Sequence, residues 1–126
     1  MGSIGYTSLN NIIKINRGDT FSFDLNIADD SSPTGRYILK ENDTLYLGIM
    51  DPRQKFEDAL IKKSYTKDDC DEEGNFIITI KADDTIDLCP GVYYYSVKLH
   101  RVVDNEEEYV DEVLTIINKT KFIICD

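Results

Sequence analysis

Leu88-Cys89-Pro90-Gly91-Val92-Tyr93-Tyr94-Tyr95-Ser96-Val97-Lys98-Leu99-His100 is the stretch that decides the fold. Pro90 fixes its own φ and Gly91 takes a turn, so the chain reverses just before an extended run. In that run Tyr93, Tyr95, Val97 and Leu99 fall on one side. Tyr94, Ser96, Lys98 and His100 fall on the other. A period of two over this length is the pattern of a half-buried strand. Tyr93 belongs to the inward set, and its hydroxyl is in reach of the connection that precedes the turn.

Working outward, the same period returns at intervals of about eight to fifteen residues. Toward the N-terminus, Thr20–Ile27 (TFSFDLNI) puts Phe21, Phe23, Leu25 and Ile27 on one face. Thr44–Met50 (TLYLGIM) turns Leu45, Leu47 and Ile49 inward, and Asn75–Lys81 (NFIITIK) does the same with Phe76, Ile78 and Ile80. Asn11–Asn16, Arg36–Lys40 and Ala59–Tyr65 read as shorter or weaker strands. Beyond the central run, Asp104–Glu107 reads as a hairpin turn, followed by strands over Tyr109–Asn118 and Lys121–Cys125. Arg53–Asp58 is a polar connection with room for one helical turn. No long segment sustains a period of 3.6. Short strands at this spacing predict an all-β fold, an immunoglobulin-like antiparallel β-sandwich of about seven to eight strands. A small barrel is the alternative. In such a sandwich, Pro90, Gly91 and Tyr93 would form the turn and tyrosine corner that open the penultimate strand.

The 126 residues fit one domain, with residues 1–10 read as a flexible arm and 11–126 as the sandwich. A hydrophobic share of 41% supports a packed core. No apolar run is long enough for a helix to cross a bilayer, and Met1–Asn10 lacks the pattern of a signal peptide. Synthesis in a host cytoplasm is the expectation. The net charge of −10 disfavours a nucleic-acid backbone as partner and favours docking to a basic surface. Cys70, Cys89 and Cys125 are odd in number and contain no C-x-x-C pair, so they read as free thiols.

Few constellations carry chemistry. His100 is the single histidine, on the outer face of its strand, and no nucleophile elbow or phosphate-binding glycine loop is present. Catalytic residues, cofactors and metal ligands are therefore expected to be absent. Arg17-Gly18-Asp19 spells the tripeptide that integrins read, but the simpler reading is a tight turn permitted by Gly18. Asp69–Gly74 opens like a calcium-binding loop, yet Ile80 stands where the bidentate Glu is needed. A solvated acidic turn is the preferred reading. Alternation splits Tyr93-Tyr94-Tyr95, so only Tyr94 of the three points outward; with Tyr46 it is a candidate contact residue.

Four stretches, taken in order, resemble a known series. They are Ile15–Thr20 (INRGDT), Leu39–Leu47 (LKENDTLYL), Asp83–Tyr95 (DDTIDLCPGVYYY) and Leu114–Phe122 (LTIINKTKF). Together they look like small immunoglobulin-like virion proteins of tailed phages and prophages of clostridia and their relatives. They are also similar to the N-terminal domain of phage baseplate upper proteins. The resemblance covers roughly residues 11–125 and rests on order and spacing. It implies a non-enzymatic structural protein of the virion, present in many copies in a symmetric assembly and touching other virion proteins. A capsid decoration or head accessory protein, contacting the major capsid protein, is the first expectation. A tail or baseplate adaptor is the second, and a glycan-binding β-sandwich module is the reading from another class.

Overall fold

Alternation around the central run dictates the architecture. In the computed structural model the described residues are 4–5, 12–29, 33, 35–105 and 108–126, with the backbone alone described at 4–5, 103–105 and 108–112. Among them are ten strands. These are β1 (Ile4–Gly5), β2 (Ile13–Asn16), β3 (Phe21–Leu25), β4 (Ile27–Asp29), β5 (Arg36–Tyr37), β6 (Thr44–Met50), β7 (Ile61–Tyr65), β8 (Phe76–Ile80), β9 (Gly91–Asn105) and β10 (Glu108–Cys125). A single helical turn, α1 (Ala82–Thr85), lies between β8 and β9, and 3₁₀ turns occupy Phe56–Asp58 and Lys67–Asp69. The protein is all-β.

The strands form a five-stranded sheet in the order β2-β10-β9-β6-β7, a three-stranded sheet β1-β4-β5 and a two-stranded sheet β3-β8. The pairings are antiparallel except that of β2 with β10, which is parallel from Ile13↔Phe122 to Asn16↔Cys125. One hydrophobic cluster joins the three sheets. The five-stranded sheet contributes Leu45, Leu47, Ile49, Tyr95, Val97, Leu99 and Phe122; the smaller sheets contribute Leu25, Ile27, Phe76, Ile78 and Ile80. Aromatic rings bridge the layers, with Phe23 to Tyr95 at 6.3 Å and Tyr65 edge-on to Phe76 at 6.1 Å between centroids.

Strand by strand, β6 has the bounds expected from its alternation, and β8 and β9 bury the residues assigned to their inner faces. Three features differ. Thr20–Ile27 breaks at Asn26, so β3 pairs with β8 while β4 pairs with β1 and β5. The two C-terminal strands are one, β10, and register shifts between Thr115 and Thr120 absorb the polar Asn118-Lys119-Thr120 step as bulges. Gly48, Met50 and Ser96, on the outer face of β6 and β9, are buried. The connection after β6 covers Gly48, where a Cβ would lie 2.9 Å from the Phe56 ring.

Ile4 and Gly5, within the expected arm, pair with Asp29 and Ala28; the rest of the arm lies outside the described residues. Of the expected hairpin turn, Asp104 and Asn105 instead continue β9, paired with Tyr109 and Glu108, and residues 106–107 lie outside the described residues.

Candidate interaction surface

Three groups of residues bear on function: the turn before β9, the outer face of the large sheet, and the ribbon that β9 and β10 form beyond it. At the turn, Cys89, Pro90 and Gly91 are exposed, whereas Tyr93 is buried. The Tyr93 hydroxyl donates to the Cys89 carbonyl at 2.7 Å, tying the start of β9 to the connection before it. Burial pushes the Tyr93 phenol up, helped by the neighbouring Cys89 and Asp51. Tyr93→Phe removes one such hydrogen bond and is expected to lower stability by about 1 kcal/mol. A lower urea midpoint with unchanged slope is the signature to seek; an unchanged midpoint would show that the bond contributes nothing.

Nearby, the Arg17-Gly18-Asp19 turn is anchored through its first two residues. Gly18 has φ +83° and its N–H donates to Thr85 Oγ1 at 2.9 Å, which satisfies the fully buried threonine. The Arg17 N–H donates to the Cys125 carbonyl at 2.7 Å, and its guanidinium meets Asp126 at 2.9 Å. The tripeptide thus closes the β2–β3 corner onto α1 and the end of β10.

On the outer face, Tyr46 stands opposite Lys98, and Tyr94 opposite Met50. Tyr46 is 40% exposed and Tyr94 only half-buried. Three further residue pairs along β6 and β9 separate them, of which Gly48↔Ser96 shares their face, with Phe56 resting over Gly48. The two candidate contact residues therefore share a face without adjoining. Lys98 Nζ sits 4.8 Å above the centre of the Phe56 ring, and Lys119 Nζ donates to the Gln54 carbonyl at 3.1 Å. Cations thus hold the covering connection from two sides. The shallow depression beside it is lined by Lys55, Phe56, Glu57, Ser96, Lys98 and Lys119, among others. His100, half-buried on the same face, stands opposite Thr44 on β6 and Val113 on β10.

In the acidic turn, the Asp71 carboxylate accepts hydrogen bonds from the Glu73 N–H, the Asn75 N–H and the Asn75 side-chain amide at 2.9, 2.9 and 3.1 Å. Its bonds with Asn75 hold the carboxyl below its ordinary range. The acid is thereby engaged in building the turn between β7 and β8. Among the described residues no three His, Cys, Asp or Glu side chains are grouped to hold a metal ion. Cys70, Cys89 and Cys125 are free thiols.

The character of the ribbon lies in what it pairs with, which no local pattern of residues states. β9 pairs with β6 only as far as Thr44↔His100. β10 pairs with β2 only over Phe122–Cys125. Beyond these limits, Arg101–Asn105 and Glu108–Glu112 pair with each other. Arg101 lies 5.7 Å over the Tyr37 ring and braces the ribbon base against β5. Upstream of Phe122, no described strand pairs with the second edge of β10.

Compared with protein-family models, curated proteins and solved structures, the chain finds no match.

Proposed function

We propose that the chain is an immunoglobulin-like β-sandwich serving as a non-enzymatic structural protein of a tailed-phage particle, on the capsid exterior. The strand order supports the sandwich reading. The sheet β2-β10-β9-β6-β7 matches the arrangement in which the last two strands are central, and β3–β8 supplies the core from the opposite layer. Tyr93 stands at the start of the penultimate strand and bonds back four residues, as a tyrosine corner does.

The observation that carries the virion reading is the ordered resemblance. Its first three stretches correspond to the β2–β3 corner, the approach to β6 and the α1-to-β9 connection; the fourth is the bulged part of β10. These stretches combine turns with core positions such as Leu45, Tyr95 and Phe122. An acidic surface suits a module displayed in many copies, each making a modest contact with a basic neighbour.

Fractionated particles test the assignment. The chain is expected in purified heads, and added soluble protein is expected to bind assembled capsids. Presence in isolated tails alone would transfer it to the tail or baseplate adaptor reading. Absence from both fractions would overturn the virion assignment.

A further inference from the structure

We propose that the edge of β10 from Glu108 to Thr115, with which no described strand pairs, is a strand-addition site for an extended basic segment of a partner protein. The inference rests on the reading of the chain as an assembly module and names the surface and the partner's chemistry.

An unpaired strand edge presents a row of N–H and C=O groups, and natural proteins ordinarily blunt it by shortness, bulges or cover. The other outer strands are short. β1 and β5 have two residues each and β2 has four. β3, β7 and β8 have five each, and the central Lys63 of β7 is held by Asp84 at 2.9 Å. The β10 edge is different. Eight consecutive residues, Glu108 to Thr115, keep an unshifted register with β9, and the bulges begin only after Thr115. The edge is therefore long, regular and already ordered on its other side, so an incoming strand need order only itself.

Sequence gives the edge its selectivity. The segment carries Val110, Val113, Leu114 and Thr115, residues suited to a strand, and Val113 is 60% exposed. It also carries Glu108, Asp111 and Glu112 with no cation of its own. Acidic residues directly opposite cations on a neighbouring strand stabilise the pairing, and like charges in the same positions destabilise it. The occupant is thus a strand bearing Lys or Arg. A second copy of this chain, with its net charge of −10, is disfavoured.

The full-length protein and a short synthetic peptide of alternating lysine with valine or threonine form the test. Three results are expected together. Binding weakens by about tenfold or more when salt is raised from about 0.15 to about 0.5 M. Alternate amides within 108–115 gain protection from hydrogen exchange when the peptide is bound. The variant E108K/D111K/E112K, folded by circular dichroism, loses binding by about tenfold or more. Failure to bind, protection confined to other strands, or undiminished binding by the triple variant would each overturn the proposal. So would concentration-dependent self-association that protects the same amides without peptide. The virion assignment fails separately: peptide binding by a chain absent from particles would sink that reading alone.

Discussion

Phe122→Ala is expected to cost about 3–5 kcal/mol of folding free energy. That is a large share of the roughly 5–15 kcal/mol that holds a domain of this kind together. Phe122 is fully buried, and its ring meets Tyr95 edge-on at 6.5 Å. Its backbone position pairs with Ile13 on β2 and Tyr93 on β9. Removing the ring therefore opens a cavity in the core and also loosens the register residue that seats β2. Partial collapse of the cavity is hindered because Ile13, Tyr93 and Tyr95 are themselves fixed by sheet pairing. Thermal and urea melts of the variant provide the measurement, with Val113→Ala as the reference. Val113 lies on the same strand but is 60% exposed, and its truncation is expected to change stability by under about 0.5 kcal/mol. Equal effects of the two substitutions would show that Phe122 is not part of a packed core.

Alkaline pH is the second strong lever. Burial pushes the phenols of Tyr37, Tyr65, Tyr93 and Tyr95 above their ordinary value near 10. Tyr37 moves furthest: burial is the main cause, its hydrogen bond to Asp43 adds to the rise, and Arg101 opposes it. Asp43 is itself buried and also accepts from the Lys40 N–H at 2.9 Å, so the Tyr37 hydroxyl is the donor that completes its environment. The sign follows from proton counting. Near pH 10 the unfolded chain releases phenolic protons that the folded chain still holds, so the folded state binds more of them. Stability from these groups is present below pH 10 and is lost as pH rises through the folded values, by up to about 1.4 kcal/mol per pH unit for each phenol still protonated in the fold. Melting temperature is expected to be level from pH 7 to about 9.5 and to fall steeply above about 10. Tyr37→Phe is expected to shallow that fall while lowering stability at neutral pH. A melting temperature that stays level beyond pH 11, or tyrosinate absorbance rising as in free tyrosine without unfolding, would refute the account.

Much of this fold was legible in the sequence because alternation is a local property. Thr44–Met50 and Phe76–Ile80 declare their inner faces through every second residue, and burial follows those faces. The core's other details depend on partners remote in sequence. Nothing within TFSFDLNI marks Asn26 as the point where the chain leaves one sheet for another. Met50 and Ser96 occupy outward positions by alternation, yet both are buried near the connection that carries Phe56 over Gly48. The buried Thr85 was equally unmarked, since its partner is a backbone N–H at Gly18. The functional surface shows the same division. Tyr46 and Tyr94 were identifiable as outward residues, but their separation on the face appears only from the β6–β9 register. The β10 edge is defined by where β2 stops, which the sequence of β10 does not state.

The parallel pairing of β2 with β10 has a mechanical consequence. Tension that draws β2 backward from Ile13 and β10 forward from Cys125 acts along the strands in opposite directions. The rungs from Ile13↔Phe122 to Asn16↔Cys125 are then loaded in shear, all at once, rather than peeled open one after another. The Arg17 N–H bond to the Cys125 carbonyl extends that shared load by one further rung. A molecule arranged in this way resists being stretched through its terminal strands more strongly than it resists being unzipped across them.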